Sequence, residues 1–166
     1  MIIASQKKKE NIAEYLLYMW QIEDIIRAYG LDIDQIQKHI INSYDLPEEQ
    51  KKSMREWYES LIDMMHSEGV EKKGHLQLNK NVLIDLHLRL LKSTREPFYG
   101  AAFFKTLPYI VELRAKSGEG KTGELETCFN ALYGVLLLRL QKKEIQSDTL
   151  KAIQQISTFL SILAEK

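Results

Sequence analysis

The stretch from Glu124 to Lys143, reading E-L-E-T-C-F-N-A-L-Y-G-V-L-L-L-R-L-Q-K-K, is apolar around nearly the whole circumference of a helix. A helix that apolar in a soluble chain is expected at the centre of a bundle rather than on its surface. Asn130 and Arg139 stand within it. Projected at about 100° per residue, Asn130 shares a narrow polar stripe with Thr127, Gly134 and Gln141. Arg139 instead falls between Cys128 and Leu132, on the shoulder of the apolar arc. A guanidinium set there calls for an anionic partner on another helix.

Helical spacing of apolar residues recurs along almost the entire chain, and strand-like alternation is nearly absent. A first helix is expected from about Lys8 to Tyr29, stopped by Gly30. A short one follows from Asp32 to Tyr44. The third starts at Pro47 and runs to Gly69, burying Met54, Trp57, Tyr58, Leu61 and Met65. Val70 to His75 reads as a charged connection, and Leu76 to Ser93 as a leucine-rich fourth helix. Pro97 opens a fifth that runs to Lys116, with Pro108 expected to kink or split it. Ser147 caps the last, which ends near Ala164. The predicted fold is all-α, a compact bundle of six to seven helices in a single domain spanning residues 1–166. A chain of that length buries roughly 70% of its unfolded surface.

Composition removes several function classes. Lys plus Arg equals Asp plus Glu, 23 each, so no net field draws in nucleic acid or an anionic membrane. No apolar run, Val135 to Leu138 included, approaches the roughly 20 residues that cross a bilayer. The single Cys128 cannot form an internal disulfide, which favours a reducing, cytoplasmic compartment. The N-terminus lacks the order of basic and apolar regions that marks a secretory signal.

Known chemical constellations are missing or incomplete. A carboxylate-bridged metal bundle needs Glu-x-x-His pairs, and the chain has none. The nearest pattern, Asp63 to His66 with Glu59 one turn before, falls opposite Trp57, Leu61 and Met65 and faces solvent, so no metal site is expected. Gly120-Lys121-Thr122 ends like a Walker phosphate loop, but Ala115 stands where that pattern needs glycine, and no strand precedes it. Cys128 with His87 would form a nucleophile and base only with an oxyanion site, which nothing supplies. Neither a catalytic residue nor a cofactor is expected.

Projection places Glu23 on the line of Ile12, Leu16 and Met19, with Arg27 one turn on, beside Trp20. His87 falls among Leu76, Leu83 and Leu90. Glu23, Arg27, His87 and Arg139 are therefore the polar residues expected inside. They form either a register-fixing ionic cluster or a pocket that binds an anionic ligand. The fifth helix carries Phe98, Tyr99, Phe103, Phe104 and Tyr109 almost all the way round, which fits either central burial or a homodimer interface.

Two stretches, Lys8 to Asp24 and Glu126 to Leu140, resemble an uncharacterised family of small bacterial proteins, mainly of Bacteroidetes, that is catalogued as a domain of unknown function. The resemblance spans essentially the whole chain. It implies a bacterial, cytoplasmic setting and carries no activity. The expected function is that of a non-catalytic helical-bundle protein acting by protein–protein interaction or self-association. The rival is a ligand-binding or enzymatic bundle built on Glu23, Arg27, His87 and Arg139.

Overall fold

The computed structural model describes residues 2–93, 97–117 and 123–164, and of Ile2, Ser93, Tyr99 and Ser117 only the backbone. Among the described residues the chain is all-helical: α1 (Ile2–Glu10), α2 (Ile12–Ala28), α3 (Ile33–His39), a 3₁₀ turn (Ile41–Ser43), α4 (Glu48–Glu68), α5 (Gln77–Ser93), α6 (Pro97–Ser117), α7 (Glu124–Leu140) and α8 (Ser147–Ala164). Eight α-helices thus replace the expected six to seven. The extra one arises at Asn11, where the expected first helix breaks. The Asn11 Oδ1 accepts the Ala13 N–H at 2.9 Å, a side-chain cap that starts a new helix instead of continuing the old one. The glycine-rich loop at 118–122, with its Walker-like ending, lies outside the described residues.

Backbone contacts divide the chain into two compact units. The first comprises residues 1–10 and 14–81, the second residues 11–13 and 82–166. The boundary falls inside α5.

In the first unit, α2 contributes Leu16, Met19, Ile22 and Ile26, and α4 contributes Met54, Tyr58, Leu61 and Met65, all buried. The α4 positions recur at intervals of four and three, one face of a helix. Gly30 ends α2 in the left-handed conformation (φ +66°), and the next residue, Leu31, shares it at φ +59°. The Leu31 N–H returns to the Ile26 carbonyl at 2.9 Å. Gly69 ends α4 in the same way at φ +70°, and the Val70 N–H bonds the Met65 carbonyl at 3.0 Å. These bonds satisfy carbonyls that the helix ends leave open. Asp32 caps α3 by accepting the Asp34 N–H at 2.9 Å. Arg55 of α4 reaches Asp34 of α3 at 2.9 Å and Glu59 at 3.0 Å.

In the second unit, α6 and α8 pack together, with Phe103 against Phe159 at 5.7 Å between ring centroids. The buried Thr106 donates to the Ala102 carbonyl at 2.8 Å and accepts from Gln155 Nε2 at 3.1 Å. Pro108 does not split α6, which is continuous from Pro97 to Ser117. The proline ring is exposed, so the ladder loses one bond on the side where water can replace it.

The expectation that the α7 segment lies at the centre of a bundle is corrected. Leu125, Thr127, Cys128, Phe129 and Val135 are buried, but Leu137, Arg139 and Leu140 in the last turn are exposed. The segment is therefore asymmetric along its length rather than buried all round.

Candidate functional site

Glu23 is fully buried at 0% exposure, so the position that projection placed mid-arc on α2 does carry a carboxylate into the core of the first unit. A buried carboxylate costs several kcal/mol unless donors surround it. Two residues supply them, and a third brings a cation near. Asn79, in the first turn of α5, donates through Nδ2 to Glu23 Oε1 at 2.8 Å. His75 sets Nδ1 at 3.3 Å from Oε1 and 3.2 Å from Oε2. Arg27, one turn along α2, brings Nη2 to 3.9 Å from Oε2.

Arg27 does more on its other side. Its Nε and Nη2 donate to the Val70 carbonyl at 3.3 and 3.1 Å. Nη2 also donates to the Gly74 carbonyl, and Nη1 pairs with Asp24 at 3.2 Å. The connection 70–75 has no helical ladder of its own, so its carbonyls need outside donors. One guanidinium meets two of them, a use suited to its rigid fork of donors.

His75 stacks on Trp20, with ring centroids 4.2 Å apart and planes 13° from parallel. An ionised carboxylate only accepts, so the Nδ1 that faces it is a nitrogen that carries a proton. The side chain is 30% exposed. The arrangement is a histidine whose orientation is set by a buried carboxylate. Among the described residues, no group of three or more His, Cys, Asp or Glu side chains is placed to hold a metal ion.

Of the four residues expected inside, Glu23 and Arg27 meet. His87 and Arg139 are exposed, which corrects the expectation that they lie inside. The buried line of α5 runs through Leu76, Asn79, Leu86 and Leu90, and His87, one residue past Leu86, is turned about 100° away. Arg139 follows the last turn of α7 into solvent, where the helix C-terminus favours a cation.

Two members of the cluster were missed by sequence reasoning. Asn79 sits on the Leu76–Leu86–Leu90 line, so projection of α5 had the signal to find it. His75 lies in the aperiodic connection, where spacing carries no information. Asn79 Oδ1 is buried without a hydrogen-bond partner among the described residues, the one unmet group of the network.

Cys128 is buried, and burial pushes its thiol up to about 12, with Glu124 adding to the rise. A thiol held protonated is a poor nucleophile.

Exposed apolar surface is concentrated in the second unit. On α5, Ile84, Leu88 and Leu91 recur at intervals of four and three, and on α6 stand Phe98, Phe104 and Val111. Each is more than half exposed. Of the aromatic residues expected at an interface, Phe98 and Phe104 are exposed, whereas Phe103 and Tyr109 are half-buried. Phe103 is turned onto Phe159. The Tyr99 side chain lies outside the described residues.

Among the described residues, no helix is long and apolar enough to cross a membrane. No curated protein and no solved structure matches the chain. Residues 1–166 match the family described as Domain of unknown function (DUF4924), and the chain belongs to that family.

Proposed function

We propose that this protein is non-catalytic and works by self-association, two copies meeting through the exposed apolar faces of α5 and α6. The observation that carries this reading is the stripe of Ile84, Leu88 and Leu91 on one face of α5, each more than half in water. Monomers rarely leave contiguous patches of that kind uncovered. Fully burying one such side chain is worth about 1.5–3 kcal/mol, so covering several favours association.

A second copy fits this surface better than a charged partner does. Beside the α5 stripe stand Asp85 and Arg89, paired at 3.1 Å within the helix, with the exposed Lys92 next to Leu91. An antiparallel copy sets Asp85 and Arg89 each against its opposite, the self-complementary arrangement of a two-fold interface. The rival reading, a ligand pocket on Glu23, Arg27, His87 and Arg139, is weakened by the exposure of two of its four residues. The donors that its own chain provides to Glu23 weaken it further. The lone cysteine and the balanced charge agree with a cytoplasmic setting.

Light scattering across a concentration series tests the proposal. The expected mass is twice the 19.4 kDa of the chain, falling to the monomer in Leu88→Glu and Phe104→Glu with unchanged helical content. A monomer mass at every concentration, or a dimer indifferent to both substitutions, refutes it.

A further inference from the structure

We infer that a groove in the first unit, between α1 and the start of α4, binds an amphipathic carboxylate with a medium-length aliphatic tail. The groove encloses about 670 Å³, inside the range of small-molecule sites. It lies wholly within residues of one unit. It is distinct from both the Glu23 cluster and the α5–α6 surface.

Its walls have the composition such a ligand needs. Ile3 of α1, Leu46 and Met54 supply apolar surface, and the Met54 side chain forms a buried part of the wall. Among the described residues, Lys9 is the charged residue that lines it, and no carboxylate does. The nearest acid on α1, Glu10, is engaged by the Gln6 amide at 2.9 Å. Anionic charge is therefore met by one cation and repelled by nothing in the wall.

The lysine run on α1 divides its labour. Lys7 lies over the Tyr18 ring and Lys8 over the Tyr15 ring, each 5.6 Å from the centroid. These contacts hold α1 against α2 through cation–π attraction. Lys9 is the lysine of the run left facing the groove. Ser5, Gln50 and Tyr44 also line it with polar side chains. They offer neutral donors to a carboxylate, in the pattern of an apolar pocket with a few convergent polar groups. Ile3 and Lys9 stand roughly 9 Å apart along the helix axis at the rise of 1.5 Å per residue, so one ligand can touch both a tail site and a head site.

Decanoate below its micelle concentration is the probe, titrated into the full-length protein by calorimetry and by amide NMR. The expected result is saturable binding, with the largest resonance shifts in residues 3–9 and 44–54. Lys9→Gln weakens it about tenfold, the size of one charge-assisted hydrogen bond. Ser53→Trp fills the groove from an exposed position and abolishes binding while helical content is kept. Decyltrimethylammonium fails to bind the same site. Absence of saturable binding overturns the inference. Equal affinity for the cation, or binding unchanged in Ser53→Trp, overturns it as well, since either outcome places the contact elsewhere or makes it charge-independent.

Discussion

The imidazole of His75 lies flat on the indole of Trp20 while its Nδ1 faces Glu23 at 3.2 Å. One aromatic contact thus fixes the plane of a ring whose edge satisfies a buried charge. The stack holds His75 in place although the segment carrying it has no regular structure of its own.

Removing the charge tests how much depends on it. Glu23→Ala strips the acceptor from Asn79 and His75 and leaves a void, and is expected to cost about 3–5 kcal/mol, the range for breaking a buried pair. Glu23→Gln keeps the volume and one carbonyl acceptor and should cost less, about 1–3 kcal/mol. Urea unfolding followed by circular dichroism measures both. A Glu23→Gln variant as stable as the parent would show that the charge contributes nothing beyond packing.

Arg27→Met keeps the apolar stem and removes every donor to the Val70 and Gly74 carbonyls. The expected consequence is local. Amides of 70–76 exchange with solvent at least tenfold faster, while those of α7 and α8 are unchanged. Hydrogen-exchange mass spectrometry separates this from a global loss, which would accelerate exchange throughout.

His87→Ala and Arg139→Ala give the contrasting case. Both side chains are exposed, and substitutions at such positions fall within about 0.5 kcal/mol of the parent. A loss above 1.5 kcal/mol in either would restore the sequence expectation that these residues are internal.

Cys128 provides a probe of opening. Its thiol titrates near 9.0 when unfolded and is pushed up to about 12 by burial in the fold. A raised folded value gives stability that is complete below pH 9 and is lost as pH climbs from 9 towards 12, because the unfolded chain releases its proton first. Denaturant midpoints should decline over that window, and the decline should shrink in Cys128→Ser. At pH 8, thiol-reactive reagents should label the native protein only at its unfolding rate.

Tyr15, Tyr18 and Tyr58 are all raised above the ordinary phenol value by burial, with tyrosine neighbours adding to the rise at Tyr18 and Tyr58. In an alkaline titration followed at the phenolate absorbance, these three are expected to ionise above the ordinary phenol range. Their ionisation then coincides with unfolding. A single transition near 10 would contradict the burial of this group.

Period and caps carried most of the helix assignment. Pro47, Gly69, Pro97 and Ser147 each mark an observed helix end to within a residue, since each acts through local backbone chemistry. Asn11 broke the pattern because an asparagine cap reads the same as an exposed helical asparagine until its side chain is seen. For the site, the radial position of Glu23 was legible in α2 and that of Asn79 in α5, but His75 and the carbonyl partners of Arg27 were not. His75 lies in a segment without periodicity. Arg27 finds its partners in backbone carbonyls 43 and 47 residues away, which no residue type announces. His87 was misplaced because leucines surround most of α5, and the arc that is buried is chosen by what packs on it.

Glu23 draws its donors from 52 and 56 residues further along the chain, and this orders events in time. An α2 that forms early cannot sink this carboxylate until α4 is complete and the 70–79 segment has arrived, so water must stay at that spot until late. The non-local closure is the slow part of such a search. Substitutions at Glu23 and Asn79 are therefore expected to hasten unfolding while barely altering the folding rate, giving φ-values near zero. Such φ-values would make the charge a latch that engages once the rest of its unit is assembled.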